Sequence, residues 1–218
     1  MTIHKGLFFA LFLAFMLLIT GCTQDTTIEV RYVSELSPGA LEELRSQGAG
    51  TNVTVAQFLD NRTTIGVAGA KNPIGNVAVS YNPRTPISEL VRDIIADELS
   101  KAGLKVEVMG LWDLDPERLE TITTALVLGG EIKVFWAENR PQPDHIGGHG
   151  FGNVRILFAV ANPKTGQTVW KGEIEGMVSQ SGLFITPNLE EMLEKAFSQV
   201  LDRLLTNEQF IQAIGSAK

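Results

Sequence analysis

Val154-Arg155-Ile156-Leu157-Phe158-Ala159-Val160-Ala161-Asn162-Pro163-Lys164-Thr165-Gly166-Gln167-Thr168-Val169-Trp170-Lys171-Gly172-Glu173-Ile174 is the stretch that decides the fold. Val154, Ile156, Phe158 and Val160 recur at every second position on one arm, and Trp170, Gly172 and Ile174 do so on the other. That is the period of half-buried strands. Between the arms, Asn162-Pro163-Lys164-Thr165-Gly166 is turn chemistry, with Gly166 suited to a positive φ. Centring the hairpin on Lys164 sets Phe158 opposite Trp170 and Arg155 opposite Glu173, favourable cross-strand pairs of about 0.2–1 kcal/mol each. Phe158 paired with residue 168 or 172 would refute this register.

C-terminal to the hairpin, Leu189, Met192, Leu193, Ala196, Phe197, Val200, Leu201 and Leu204 form one helical stripe, begun by a capping pair of Asn188 and Glu191. A brief helix from Asn207 to Ile214 ends at Gly215. On the N-terminal side, Ile132, Val134 and Trp136 alternate with Glu131, Lys133 and Phe135, predicting another strand, and Trp136 and Trp170 are expected to be buried. Leu104, Val106 and Val108 alternate in the same way with Lys105 and Glu107. The helix before them presents Ile87, Leu90, Val91, Ile94, Ile95 and Leu99 on one face, with Thr85 placed to cap it, Pro86 in its first turn and Gly103 at its left-handed terminus. Val53–Phe58 and Ile74–Val79 read as earlier strands, Asp113–Thr124 as a shorter helix, and residues 139–152 as a Pro- and Gly-rich loop. These elements predict an α+β (mixed α/β) fold. Its single mixed or antiparallel sheet carries the two main helices on one face and leaves the other to water or a partner.

The chain opens with His4 and Lys5, an apolar run from Leu7 to Ile19, and Ile19-Thr20-Gly21-Cys22. An apolar run this short does not span a bilayer, which takes about 20 residues, and the layout is that of a bacterial signal ending in a lipobox. The expected organisation is a signal peptide over 1–21, a lipidated N-terminus on Cys22 with a flexible tether over 22–51, and a periplasmic α/β domain over 52–218. Thr23, rather than Asp, after the cysteine points to the outer membrane. Loss of Lys5 with the signal moves the formal charge of the chain from −7 to −8. An acidic domain is a poor partner for nucleic acid and is repelled by anionic lipid, so membrane attachment falls to the lipid anchor. Cys22 is the only cysteine, so no thiol remains for a disulfide, a zinc site or nucleophilic catalysis.

Other candidate chemistry is sparse. His145 and His149 share a loop with the carboxylate Asp144 and are four apart, a metal-binding spacing on a helix, but Gly147 and Gly148 between them disfavour one, and no fourth ligand is evident. Asp113, Asp115 and Glu117 cluster where a helix dipole favours acids, without a partner base or nucleophile. Glu173 and Glu175 share a strand face about 7 Å apart, with Lys171 and Arg155 beside them, which reads as a surface charge ladder. No nucleotide-binding loop, nucleophile elbow or His-Glu-x-x-His is present. No catalytic, metal or cofactor site is therefore expected.

The lipobox followed by Thr27-Ile28-Glu29-Val30, the helix Ile87–Ala102 leading into Gly103-Leu104-Lys105-Val106, the strand entry Val127-Leu128-Gly129-Gly130-Glu131-Ile132, and Gly172-Glu173-Ile174-Glu175-Gly176 resemble the YajG-type bacterial envelope lipoproteins. The resemblance covers the mature chain and implies a small domain like TolB N-terminal modules, with no residue role beyond Cys22. The expected function is a non-enzymatic outer-membrane lipoprotein, its periplasmic domain meeting an envelope protein partner in assembly or maintenance of the envelope. The alternative is a periplasmic binder of a lipid or glycan.

Overall fold

The computed structural model describes residues 24–37, 39–71, 79–141, 147–183 and 188–217. Cys22, His145 and residues 74–78 of the expected second strand lie outside them. The described strands are β1 (Gln24–Ile28), β2 (Asn52–Gln57), β3 (Leu59–Asp60), β4 (Gly69–Lys71), β5 (Val79–Pro83), β6 (Lys105–Leu111), β7 (Leu126–Pro141), β8 (Gly147–Asn162) and β9 (Gln167–Leu183). The helices are α1 (Glu42–Gly48), α2 (Ile87–Lys101), α3 (Leu189–Leu205) and α4 (Glu208–Gly215).

β7 is the spine of one open mixed sheet. One of its edges is antiparallel to β8, which is antiparallel to β9. Its other edge receives β2, β3 and β4 in turn, all parallel. The sheet then divides, β2 continuing to β6 and β4 continuing through β5 to β1. The two main helices, α2 and α3, lie on one face and share a single apolar core with it, as the alternation of apolar residues requires. Phe135 meets Phe197 and Trp170 meets Phe210 edge-on, at 5.5 and 5.3 Å between ring centroids.

The hairpin exists, in a different register from the expected one. Phe158 stands opposite Gly172, Arg155 opposite Glu175, and Val160 opposite Trp170. The Asn162 side chain accepts from the Lys164 and Thr165 amides, fixing a turn over 163–166, and a bulge at Val169 then shifts the pairing by one. A second bulge, between Ile132 and Val134, reverses the phase of β7. Phe135 consequently enters the core, and Trp136, expected to be buried, is half-exposed on the opposite face. Trp112 is 3% exposed. It forms a small second cluster on the back of the sheet with Leu119, Val127, Ala159 and Ala161.

Other expectations also change. Residues 113–124 form only a 3-10 turn at Pro116–Leu119. At the head of α2, Pro86 rather than Thr85 is the cap, and its carbonyl takes the Glu89 and Leu90 amides with no side-chain cap. Gly103 does adopt the left-handed conformation, φ 90°. β6 is an edge strand with Val108 and Leu111 exposed on it. Of the expected loop 139–152, residues 139–141 continue β7 and 147–152 belong to β8.

The largest departure is the expected tether over 22–51, which in its described residues is part of the fold. β1 pairs with β5, Ile28 and Val30 are buried, and α1 buries Leu44 against the core and packs on α4. Residues 29–35 run along α3 as a strap. Amides of Glu29, Arg31, Val33 and Glu35 donate to side chains of Glu190, Glu194, Ser198 and Asp202, at 3.3, 3.1, 3.1 and 3.1 Å. Two residues of extended chain advance about 6.6 Å and four residues of helix about 6 Å, so the repeats nearly match. Tyr32 adds a bond from its hydroxyl to Asp202 Oδ1 at 2.6 Å.

Candidate functional site

Helix–sheet packing decides where a ligand could sit. An alanine Cβ at Gly176 would lie 2.0 Å from the Ala196 carbonyl oxygen, and one at Gly152 would lie 2.7 Å from that of Met192. The α3 backbone therefore rests directly on β8 and β9, filling the space where a cleft between helix and sheet would have to open.

The back of the sheet is different. A cavity of about 300 Å³ opens there, lined by Arg62, Thr63, Thr64, Lys133, Trp136, Phe151 and Asn153 among others. The β7 bulge turns Trp136 to this face, directly opposite Asn153, while Phe151 stands two positions along the same strand. Arg62 is 8% exposed and forms the wall: it makes paired bonds to Asp60 at 2.7 and 2.8 Å and donates to the carbonyls of Val67 and Phe135. Such a fully engaged guanidinium holds the 61–68 segment onto β7 rather than offering charge to a ligand. Asn153 donates to Glu175 at 3.0 Å, and its buried Oδ1 has no hydrogen-bond partner among the described residues. The cavity thus combines the aromatic surface of Trp136 and Phe151 with Thr63 and Thr64, an arrangement for binding a planar or hydroxylated group.

Beside it lies the charge ladder. Glu173 takes a 2.6 Å bond from Lys133 and has Arg155 at 3.7 Å. The bonded Lys133 ammonium holds its carboxyl below the usual carboxylate range, which suits an ion pair and not a proton donor. Glu175 accepts from Asn153, and Lys171 stands exposed opposite Ala159. Asp113 and Asp115 are both paired to Arg118, and the Asp115 side chain caps the 3-10 turn through the Glu117 amide. These acids are structural. His149 lies within β8, opposite Arg140 and Ser181, and not in a metal-binding loop. Among the described residues no group of three or more His, Cys, Asp or Glu is placed to hold a metal, and no helix is long and apolar enough to cross a membrane.

Glu194 is a carboxylate whose pKa is raised, burial outweighing the bond from the Arg31 amide. It belongs to the strap and stands apart from the back-face cavity. Arg62, Thr63, Thr64, Phe151 and Asn153 were not distinguished by sequence reasoning. The Asp60-x-Arg62 spacing was the one local signal, and the rest depends on the bulge that turns β7 over.

No family model matches this chain, and no curated protein matches it. Among solved structures, a Xanthomonas campestris protein of the DUF330 family superposes with a TM-score of 0.53 at 11% identity, covering 88% of this chain and 96% of its own. A neuraminyllactose-binding hemagglutinin homolog from Helicobacter pylori gives 0.52 at 7% identity, over 87% and 97%. A lipoprotein from Neisseria meningitidis gives 0.42 at 15% identity, over 71% and 97%. At these identities the first two likenesses show a shared α+β fold.

Proposed function

We propose that this chain is a YajG-type outer-membrane lipoprotein, anchored through lipid on Cys22, whose periplasmic domain is a non-enzymatic binding or accessory module for envelope assembly or maintenance. The observation that carries the reading is the contrast between the two faces of the sheet. The helical face is closed down to backbone contact at Gly152 and Gly176, while the back face keeps Trp136, Phe151 and Met177 at a partly open surface. Recognition is therefore a surface event, with the cavity as its centre. Ion-paired acids and a carboxylate committed to the strap leave no convergent acid, base and nucleophile among the described residues.

Affinity capture of the lipidated protein from its native envelope tests this. Wild type should retain an envelope protein that Trp136→Ala loses while keeping its thermal midpoint. Recovery of only the monomer with a co-purifying lipid would overturn the accessory reading. Labelled palmitate should enter wild type, and continued labelling of Cys22→Ser would refute lipidation there. The cavity itself favours a second reading, a glycan binder. Calorimetric titration with disaccharide fragments of envelope glycan should then give binding that Trp136→Ala and Phe151→Ala abolish.

A further inference from the structure

The outer strands β6 and β9 end the sheet differently. At β9 the outward backbone is taken up by α3: the Gln199 side chain accepts from the Met177 amide, and Arg203 donates to the Glu175 carbonyl. An edge occupied in this way is closed to a further strand. At β6 there is no such cover among the described residues, where no strand lies beyond it and no side chain bonds the backbone of Val106 or Val108. The Lys105 amide donates to the Thr51 carbonyl, so Lys105, Glu107 and Met109 turn their backbone groups to β2. Val106 and Val108 therefore turn theirs outward, leaving an amide and a carbonyl of each on an open edge.

Side chains sort the same strand. Val106 packs against the core beneath α2, so Val108 shares the helix-covered face, where it is 56% exposed. Lys105 and Glu107 stand exposed on the back face. A second copy related by a two-fold axis normal to the sheet keeps helix face with helix face and runs antiparallel to β6. Outward backbone must meet outward backbone, which leaves registers centred on Val108, Glu107, Val106 or Lys105. Centred on Val108, the pairing sets Lys105 against Leu111 and Glu107 against Met109, and runs into the irregularity at Gly110. Centred on Glu107 or on Lys105, it sets like charges face to face. Centred on Val106, it sets Lys105 opposite Glu107 twice, in the close non-hydrogen-bonded positions, and the exposed Val108 opposite Leu104. Only this last register is complementary throughout. Val106 then exchanges hydrogen bonds with its copy, and each Val108 amide meets the Leu104 carbonyl of the other chain.

The helices permit the same arrangement. α2 packs on β2 and β6 alike, which sets its axis near the line between them. With strands about 4.8 Å apart, two such helices across the seam lie about 10 Å apart, the spacing of packed helices. A second copy thus continues both layers.

We propose that β6 is a self-association edge, on which a second copy of this chain adds its own β6 antiparallel about Val106 to form a symmetric dimer with one continuous sheet. This goes beyond the functional reading and depends neither on lipidation nor on the back-face cavity.

Sedimentation velocity of the full-length chain, in a large molar excess of detergent micelles, tests it. Wild type should pass from monomer to dimer as concentration rises. Glu107→Lys and Lys105→Glu, which set like charges opposite at both pairs, should each weaken the dimer about tenfold. The double variant Lys105→Glu/Glu107→Lys restores opposite charges and should return the dimer to within about threefold of wild type. Val108→Pro deletes only an outward amide and should give a monomer that circular dichroism shows to be folded. Wild type that stays monomeric at every concentration overturns the proposal, as does a dimer that either Glu107→Lys or Val108→Pro leaves intact. A double variant that folds and stays monomeric overturns the register about Val106.

Discussion

Asp202→Ala removes the end of the strap. Asp202 takes the Tyr32 hydroxyl at 2.6 Å, the Ser34 hydroxyl at 3.2 Å and the Glu35 amide at 3.1 Å. A bond to an ionised group is worth about 1.5–3 kcal/mol when shielded and much less in water. The Tyr32 bond is part-buried and the other two are exposed. The first therefore supplies most of a combined loss of about 2 kcal/mol. Since 1.4 kcal/mol is about a factor of ten, local opening of the strap should become roughly thirty-fold more frequent. Native-state hydrogen exchange reads this directly at the amides of Val33 and Glu35, with core amides of β7 and β8 as the internal reference. Tyr32→Phe, which keeps the ring and deletes one bond, should give an intermediate acceleration of about ten-fold from a loss of about 1.4 kcal/mol. Unchanged exchange at 33 and 35 in Asp202→Ala would show that the strap is held by something else. Equal acceleration at strap and core would show that strap and domain open as one unit. Either result refutes the reasoning.

Gly176→Ala places a methyl within 2.0 Å of the Ala196 carbonyl oxygen. It should cost about 2–3 kcal/mol and lower the melting midpoint by roughly 5–10 °C, read by circular dichroism; an unchanged midpoint would contradict backbone contact there. Glu194 has its pKa raised by burial, so the native state binds its proton more readily than the unfolded chain does. Its contribution is full below the unfolded value and is lost as pH rises through the folded one, leaving ionised Glu194 at a cost near neutrality. Glu194→Gln keeps an oxygen acceptor for the Arg31 amide and should be as stable as wild type or more so in urea at pH 7, with the gain fading in acid. A loss above about 1 kcal/mol at pH 7 would sink this account. Glu173 has the opposite sign: its lowered pKa makes the Lys133 pair favourable above the unfolded value and lost as pH falls through the folded one. Lys133→Ala should reduce that acid dependence by a small amount, because the pair is exposed.

The helices were legible because periodicity and caps act locally. Asn188 and Asn207 accept from Glu191 and Phe210 as their positions before the apolar stripes required. The strands were legible as strands, and their faces less so. A bulge at Val169 and another after Ile132 each add a residue that alternation counting cannot see; the first, together with a four-residue turn, moved the partner of Phe158 from Trp170 to Gly172, and the second turned Trp136 outward. The strap was unreadable for a different reason. Its amides are satisfied by side chains on a helix more than 160 residues away, so neither period two nor period 3.6 marks it in its own sequence. The cavity inherits both difficulties, since its aromatic side depends on the β7 bulge and its Arg62 wall on the pairing with Asp60. Cys22 remained a sequence inference throughout.

The parallel pairing of β1 with β5, followed by the strap on α3, also has a mechanical consequence. A pull on residue 24 directed out of the sheet end acts along the axis of β1 and along the run of the strap. The β1–β5 bonds and the four amide bonds to α3 then lie across the direction of load and share it. They resist in shear, failing together and not opening one by one as a peeled hairpin would. The weakest direction is sideways, lifting residues 29–35 away from the helix one bond at a time. A domain attached in this way yields little to tension through its N-terminus and much more readily to a lateral force on the strap.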